Sequence, residues 1–186
     1  EEPDAMRNTL VLMMDATEQG TALRQDVLKM DGEMVKGISK IVVCACGTAY
    51  HAGLVGKLVI EKMAKIPVDV EIASEYRYRD FILPEDALFV VVSQSGETAD
   101  TIAALREAKR RGVRTLSITN VVGSTVAREA DHVLYTWAGP EIAVASTKAF
   151  VSQLMVFYVM AAHLAEKMGY MSQEEQSQYL DELLAL

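Results

Sequence analysis

Hydroxyl side chains crowd the segment at residues 93–98, whose sequence is SQSGET, between an apolar run and an amphipathic helical pattern. A helix N-terminus exposes unpaired N–H groups and a partial positive charge, and Gly96 lets an anion approach the backbone closely. With Ser93, Ser95 and Thr98 as further donors, the pattern predicts a phosphate-binding turn. The alternative, an ordinary turn in which Ser95 or Thr98 only caps the following helix, stays open at this point.

Two more loops rich in small residues follow predicted strands. Residues 46–51 have the sequence CGTAYH, and residues 139–150 have the sequence GPEIAVASTKAF. Both precede helical patterns, so we expect them to open on the same edge of the sheet as the SQSGET turn. For the second loop, a simple cap of the next helix by Ser146 or Thr147 is an equal alternative.

Groups that could act as acid, base or nucleophile are few. Cys46 has no basic neighbour, so a buried small apolar role is favoured over a nucleophile. Glu97 is better explained as an acid in the first turn of a helix than as a base beside a phosphate. His51, His132 and His163 are scattered, and no zinc pattern occurs, so neither a metal nor a cofactor is expected.

The elements that must position these loops alternate along the chain. Short β-branched runs predict strands at residues 41–45, 68–72, 88–93, 115–119 and 133–137. Helical patterns occupy residues 50–64, 74–81, 98–111, 124–130 and about 147–168, and another helix begins at Ser172 with Glu175 in a capping box. The expected fold class is α/β, a three-layer doubly wound five-stranded parallel sheet. Apolar spacings predict a helical N-terminal arm over residues 5–36, punctuated at Gly20 and Gly32.

Composition narrows the function classes. The 186 residues carry a formal net charge of -8, which disfavours binding to nucleic acid or to an anionic membrane. The longest apolar run, residues 154–162, is too short to span a bilayer and predicts a buried helix. Cys44 and Cys46 form no disulfide framework, so the cytoplasm is expected. The acidic start has no signal-peptide pattern, and the missing initiator Met suggests a piece of a longer protein.

Four motifs in order carry a family resemblance: CGT at 46–48, VEIASE at 70–75, SQSGETADT at 93–101 and ASTKAF at 145–150. Together they resemble the isomerase part of the glucosamine-6-phosphate synthases, the glutamine:fructose-6-phosphate amidotransferases. Residues 2–10, EPDAMRNTL, are similar to the segment that leads into that part, so the resemblance covers essentially the whole chain.

The resemblance implies a fold and a site. The family's isomerase part has two sugar isomerase (SIS) lobes with flavodoxin-like sheets, and this chain resembles the first lobe. The implied substrate-binding residues are Gly47, Thr48, Ser93, Gln94, Ser95, Gly96, Thr98, Val144 and Ser146. The serines, Gln94 and Thr98 of the turn hold the phosphate of fructose 6-phosphate, whereas Thr48, Val144 and Ser146 lie toward the sugar. Ala49 departs from the pattern, since many relatives have serine there.

The implied reaction opens the sugar ring, adds ammonia to the ketone and shifts a proton to give glucosamine 6-phosphate. In the family the proton-moving groups lie in the second lobe or near the C-terminus, and the ammonia comes from a glutaminase domain. No catalytic residue is therefore expected in this chain, which divides into an arm (1–36), a SIS lobe (37–169) and a C-terminal helix (170–186).

Two alternatives belong to other classes: a stand-alone SIS module that senses a phosphosugar, and a complete small phosphosugar isomerase. A sensor should carry a partner domain, and a small isomerase should carry its own acid and base. We also expect a homodimer, because a lobe that lacks its neighbours leaves apolar surface uncovered. Leu180, Leu183 and Leu184 are the expected contributors.

Overall fold

The structure, a computed structural model, describes residues 1–18, 20–140 and 146–186. The first elements are α1 (Glu2–Val11), β1 (Met14–Thr17), β2 (Gly20–Leu23), α2 (Gln25–Leu28), α3 (Gly32–Lys36), β3 (Ile41–Ala45), α4 (Gly47–Ala64) and β4 (Val68–Ile72). The remainder are α5 (Ala73–Tyr76), β5 (Leu88–Ser93), α6 (Ala99–Arg110), β6 (Arg114–Thr119), α7 (Thr125–Glu129), β7 (His132–Tyr135), α8 (Lys148–Met168) and α9 (Gln173–Leu184).

Five strands form one parallel sheet in the order β4-β3-β5-β6-β7. All six residues of β5 are buried, as the continuous apolar run predicts for a strand at the centre of a sheet. The predicted strand at 133–137 ends earlier, at Tyr135, and Trp137 has a left-handed backbone with φ 44°. The predicted fold class, a doubly wound parallel α/β sheet, is confirmed.

Alternate residues of each strand face opposite layers. Ile41 and Val43 of β3 belong to the core beneath α4 and α8, whereas Val42 and Cys44 belong to the core beneath α5, α6 and α7. The sheet is therefore covered on both faces, which is why its inner strands read as unbroken apolar runs.

Helix α8 is the central helix of one layer. It is long and apolar enough to cross a membrane by length and composition, but 72% of its most apolar window is buried inside the protein. Its apolar surface is used against α1, α4 and α9. This agrees with the predicted buried helix at residues 154–162.

Two glycines bring α4 close to its neighbours. A Cβ atom on Gly56 would lie 2.5 Å from Cδ1 of Phe157 on α8, and one on Gly53 would lie 2.9 Å from Cγ1 of Val43 on β3. Side chains at these positions would push α4 outward. The two glycines thus fix the position of α4, and with it the position of the loop at its N-terminus.

The arm is only partly helical, so the prediction of helical segments over residues 5–36, punctuated at Gly20 and Gly32, is wrong between α1 and α2. There β1 and β2 form an antiparallel hairpin in which Met14 lies opposite Leu23, and both side chains are buried. Leu10 and Met14 are four residues apart, as are Leu23 and Val27, which imitates a helical period. Gly20, however, has φ 111°, which a helix does not tolerate. The hairpin packs on α9.

Two other expectations need correction. The helix predicted at residues 74–81 ends at Tyr76, and the chain then turns so that the Phe81 ring stacks on the Tyr76 ring with centroids 3.7 Å apart.

The expectation that Leu180 and Leu183 supply uncovered apolar surface is also wrong, because both are buried in the core of this chain. More exposed apolar side chains lie on α4, where Leu58 is 66% exposed.

Candidate phosphate-binding site

A cavity of about 370 Å³ lies where the strand order reverses, at the carboxyl ends of β3 and β5. In open α/β sheets this is the crevice in which ligands bind, because the loops leaving the two strands diverge there. The lining residues come from four segments and are Cys46, Gly47, Thr48, Ala49, Val92, Ser93, Gln94, Ser95, Thr98, Thr101, Ser146 and Gln153.

The turn after β5 is held by its own hydroxyl groups. The Gly96 N–H donates to Ser93 Oγ over 3.1 Å, and Ser93 Oγ lies 3.0 Å from Thr98 Oγ1. The Glu97 N–H donates to Ser95 Oγ over 3.2 Å. These bonds fold the turn around the cavity and keep the three hydroxyl-bearing side chains together at its wall.

Helices α4 and α6 both begin at the cavity without a side-chain cap. Cys46 and Thr98 occupy the N-cap positions, and neither side chain accepts a hydrogen bond from the first turn of its helix. The alternative in which Ser95 or Thr98 caps α6 therefore does not describe this turn. First-turn N–H groups and the positive ends of two helix dipoles converge on one cavity, which suits an anion.

Gly96 has φ 67°, the left-handed region in which glycine is favoured. A Cβ atom there would lie 2.5 Å from Ser124 Cβ and 2.9 Å from Thr119 Oγ1. The turn is packed against the start of α7 and the end of β6, so only a residue without a side chain fits.

Glu97 is engaged with a neighbouring helix. Its carboxylate accepts from the backbone N–H and from the hydroxyl of Thr125, each over 2.7 Å, and these hydrogen bonds lower the pKa of Glu97. Glu97 precedes α6, so the expectation of an acid in the first turn of that helix is corrected. It stabilises the N-terminus of α7 and does not line the cavity.

The third predicted loop reaches the cavity through Ser146, which precedes α8. Thr147 is the N-cap residue of α8 and makes no side-chain cap hydrogen bond. Val144, expected at the sugar end of the site, lies outside the described residues. Of the predicted binding residues that are described, only Gly96 does not itself line the cavity, because it lies beneath the turn.

The other reactive candidates lie apart from one another. Cys46 lines the cavity, but Cys44 is fully buried in the sheet, and burial raises the pKa of its thiol. His51 is exposed on α4, where its ring meets the edge of the Tyr50 ring. His163 is buried on α8, with Nε2 2.7 Å from the carbonyl oxygen of Met30. Within the described ranges, no three His, Cys, Asp or Glu side chains form a group that could hold a metal ion.

Sequence reasoning missed two polar residues of the cavity, Thr101 and Gln153. Both lie inside helices rather than in the loops, on α6 and α8, and both are almost fully buried. The sequence did hold a signal that could have identified Gln153. It is a polar residue next to another, Ser152, within the otherwise apolar buried face of α8.

A larger depression of about 760 Å³ lies at the opposite edge of the sheet. Its charged lining is mainly acidic, with Asp31, Glu33, Glu85, Asp86 and Asp131 against Lys109 and Arg114. This balance would repel a phosphate, and among the described elements no long helix begins there. The smaller cavity is the better candidate site.

Fold and site together define a doubly wound α/β protein with a hydroxyl-lined cavity at its switch point. The chain belongs to the SIS domain family, whose family model matches residues 34–163. It is 51% identical over 186 residues to the glutamine–fructose-6-phosphate aminotransferase (isomerizing) of Clostridium tetani, and 52% identical over 186 residues to that of Clostridium acetobutylicum.

Each of these two alignments covers 100% of the chain and 30% of the relative, so the chain spans about a third of the length of these curated relatives. The C-terminal domain of glucosamine-fructose-6-phosphate aminotransferase from Francisella tularensis superimposes with a TM-score of 0.88 at 40% identity. That match covers 98% of this chain and 50% of the solved one. The resemblance seen in the four motifs is confirmed, and it is to one part of a longer protein.

Proposed function

We propose that this chain is the phosphosugar-binding first SIS lobe of a cytoplasmic glutamine–fructose-6-phosphate aminotransferase, and that its ligand is fructose 6-phosphate. One observation carries the proposal. Two long helices without side-chain caps begin at a single cavity, beside a turn rich in hydroxyl groups. The names of the relatives supply the substrate, and the geometry supplies a place for its phosphate.

The phosphate is assigned to the turn after β5. Hydroxyl groups of Ser93, Ser95 and Thr98 and the amide of Gln94 surround the anion, and Gly96 allows the turn its shape. Since the chain has a formal net charge of -8, these local contacts must supply the attraction.

The sugar is assigned to the other side of the cavity. Gly47 and Thr48 at the start of α4 and Ser146 before α8 face it, and Val144 is proposed to join them. Ala49 lines the wall without a hydroxyl group, so this lobe makes one contact fewer there than relatives with serine.

The chemistry is proposed to need further parts of the enzyme. Ammonia comes from a glutaminase domain, and the groups that move protons come from a second SIS lobe, which yields glucosamine 6-phosphate. Within this chain we propose an arm at 1–36, the lobe at 37–169 and a C-terminal helix at 170–186 that leads toward the second lobe.

A homodimer is part of the proposal. Leu54 and Leu58 lie one turn apart on α4 and are 37% and 66% exposed, which is uncovered apolar surface of the kind that subunit contacts bury. Sedimentation equilibrium tests this, and a monomer at high protein concentration would contradict it.

Calorimetric titration with fructose 6-phosphate tests the phosphate assignment. A hydrogen bond to a charged group contributes about 1.5–3 kcal/mol, so Ser95→Ala or Thr98→Ala should weaken binding by roughly 10- to 100-fold. Ser39→Ala is the control, because Ser39 donates to Asp86 over 2.6 Å at the opposite edge of the sheet. Equal affinities for the wild type and both site variants would show that the turn does not hold the phosphate.

A further inference from the structure

Two buried polar atoms at the cavity have no hydrogen-bond partner among the residues that the structure describes. Gln153 is 2% exposed and Thr101 is fully buried, yet neither Oε1 of Gln153 nor Oγ1 of Thr101 is paired with any of those residues. Both residues line the cavity at the switch point. A buried polar atom without a partner costs free energy. Such atoms beside a cavity therefore indicate that a bound ligand supplies the missing hydrogen bonds.

The chemistry of Gln153 Oε1 limits which ligand group can hydrogen-bond to it. An amide oxygen accepts hydrogen bonds and donates none, and a dianionic phosphate has no hydrogen to donate. A sugar hydroxyl donates readily. Thr101 Oγ1 both donates and accepts, so it can pair with a hydroxyl in either direction.

The turn hydroxyls differ from these two atoms. Ser93 and Thr98 bond to each other, and Ser95 accepts from a backbone N–H of the turn. Ser95, and whichever of Ser93 and Thr98 accepts in the bond that they share, keep a hydrogen free to donate to an anion. Gln153 lines the same cavity from α8, a separate element.

We propose that Gln153, supported by Thr101, is a specificity-determining residue that accepts a hydrogen bond from a hydroxyl of the sugar and so distinguishes a phosphosugar from a simple phosphate. This rests on the proposed function, because it assumes that the cavity takes a phosphosugar. The proposed hydrogen bond from the sugar to Gln153 comes from within a helix, in addition to the contacts that the loops provide.

The test compares two ligands, fructose 6-phosphate and inorganic phosphate, by calorimetric titration of the 186-residue chain. Gln153→Met keeps the length of the side chain and removes the amide group, both its oxygen acceptor and its NH2 donor. Binding of fructose 6-phosphate should weaken about 10-fold, which corresponds to about 1.4 kcal/mol, while binding of inorganic phosphate stays unchanged. Ser152→Ala is the matched control, since Ser152 Oγ is also buried and unpaired on α8 but does not line the cavity.

Thermal unfolding separates binding from folding. Gln153 Oε1 makes no hydrogen bond to the described residues, so the melting temperature of Gln153→Met should equal or exceed that of the wild type. A clear drop would assign Gln153 to the structure and overturn the inference. Should that variant not fold, Thr101→Val, which preserves the shape of the side chain, should show the same selective loss.

The outcomes for the inference and for the proposed function differ. If the wild type binds fructose 6-phosphate and neither variant alters the ratio of the two affinities, the inference fails and the proposed function stands. Equal weakening for both ligands would show a general disturbance of the cavity and would also overturn the inference. No binding of fructose 6-phosphate by the wild type would overturn the proposed function together with the inference.

Discussion

At the scale of single residues, the site depends on conformation as much as on functional groups. The hydroxyls of Ser93 and Thr98 meet because the chain reverses at Gly96, where the backbone is left-handed. Gly47 has φ 60° at the start of α4, so the second loop uses a glycine in the same way. Both loops therefore need glycine at the point where the strand gives way to the helix.

Gly96→Ala should cost more stability than a glycine replacement in open space. A Cβ atom at Gly96 meets Ser124 and Thr119, whereas one at Gly112, with φ 76°, meets nothing within 4 Å. Gly112→Ala should cost the left-handed strain alone, about 1–2 kcal/mol. Gly96→Ala should cost a further 1–3 kcal/mol or so for the clash, roughly as overpacking does. Urea unfolding of the two variants measures the difference, and equal losses would contradict this account.

At the scale of elements, the contact between α4 and α8 positions the cavity. The N-terminus of α4 contributes Gly47 and Thr48, and α8 contributes Gln153. Gly56 lets the Phe157 ring lie against α4, so a glycine that weakens the isolated helix strengthens the packing of the layer.

A double-mutant cycle tests the role of Gly56. Gly56→Ala should gain about 1 kcal/mol of helix propensity but lose about 2–3 kcal/mol to the clash with Phe157, with a net loss of about 1–2 kcal/mol. In the background of Phe157→Leu the same change should cost less, since the ring is gone. Urea unfolding of the four proteins gives the coupling energy, and strict additivity would show that the two residues do not compete for space.

His163 joins α8 to the segment between α2 and α3 through Met30, and its burial makes that contact sensitive to pH. Burial lowers the pKa of His163 below its ordinary value of about 6.5, because the charged ring would lose its water. The unfolded chain therefore binds more protons below that pH, and the free energy of unfolding should fall as the pH is lowered from about 7.5 to about 5.5.

His163→Gln should be less stable than the wild type at the higher pH and should lose less stability on acidification. Burial lowers the pKa of His132 as well, so part of the slope should persist. His51→Gln, a change on the exposed surface of α4, is the control for loss of a histidine. Urea unfolding across this pH range measures the slopes, and an unchanged slope in His163→Gln would contradict the assignment.

At the scale of the whole molecule, the sheet separates two edges of different character. The carboxyl edge carries uncapped helix N-termini and hydroxyl groups, and the amino edge carries an excess of carboxylates. An anionic ligand is favoured at one edge and disfavoured at the other, although the net charge of the chain is negative.

The isolated chain should make no glucosamine 6-phosphate from fructose 6-phosphate and ammonia. Among the described residues that line the cavity there is neither a carboxylate nor an imidazole to move a proton. A product assay with a full-length relative as the positive control checks this. Measurable product from a clean preparation of the 186 residues would favour the small-isomerase alternative.

The sequence by itself determined the sheet, the SQSGET turn and the capping box at Ser172 and Glu175, which the structure confirms. These features are local, because apolar runs, glycines and caps act within a few residues. Only the tertiary structure decided that Met14 and Leu23 pair across a hairpin, that Glu97 bonds to α7 and that Gln153 reaches the cavity. Each of these depends on contacts between segments distant in sequence or between separate elements, whose geometry no local pattern encodes.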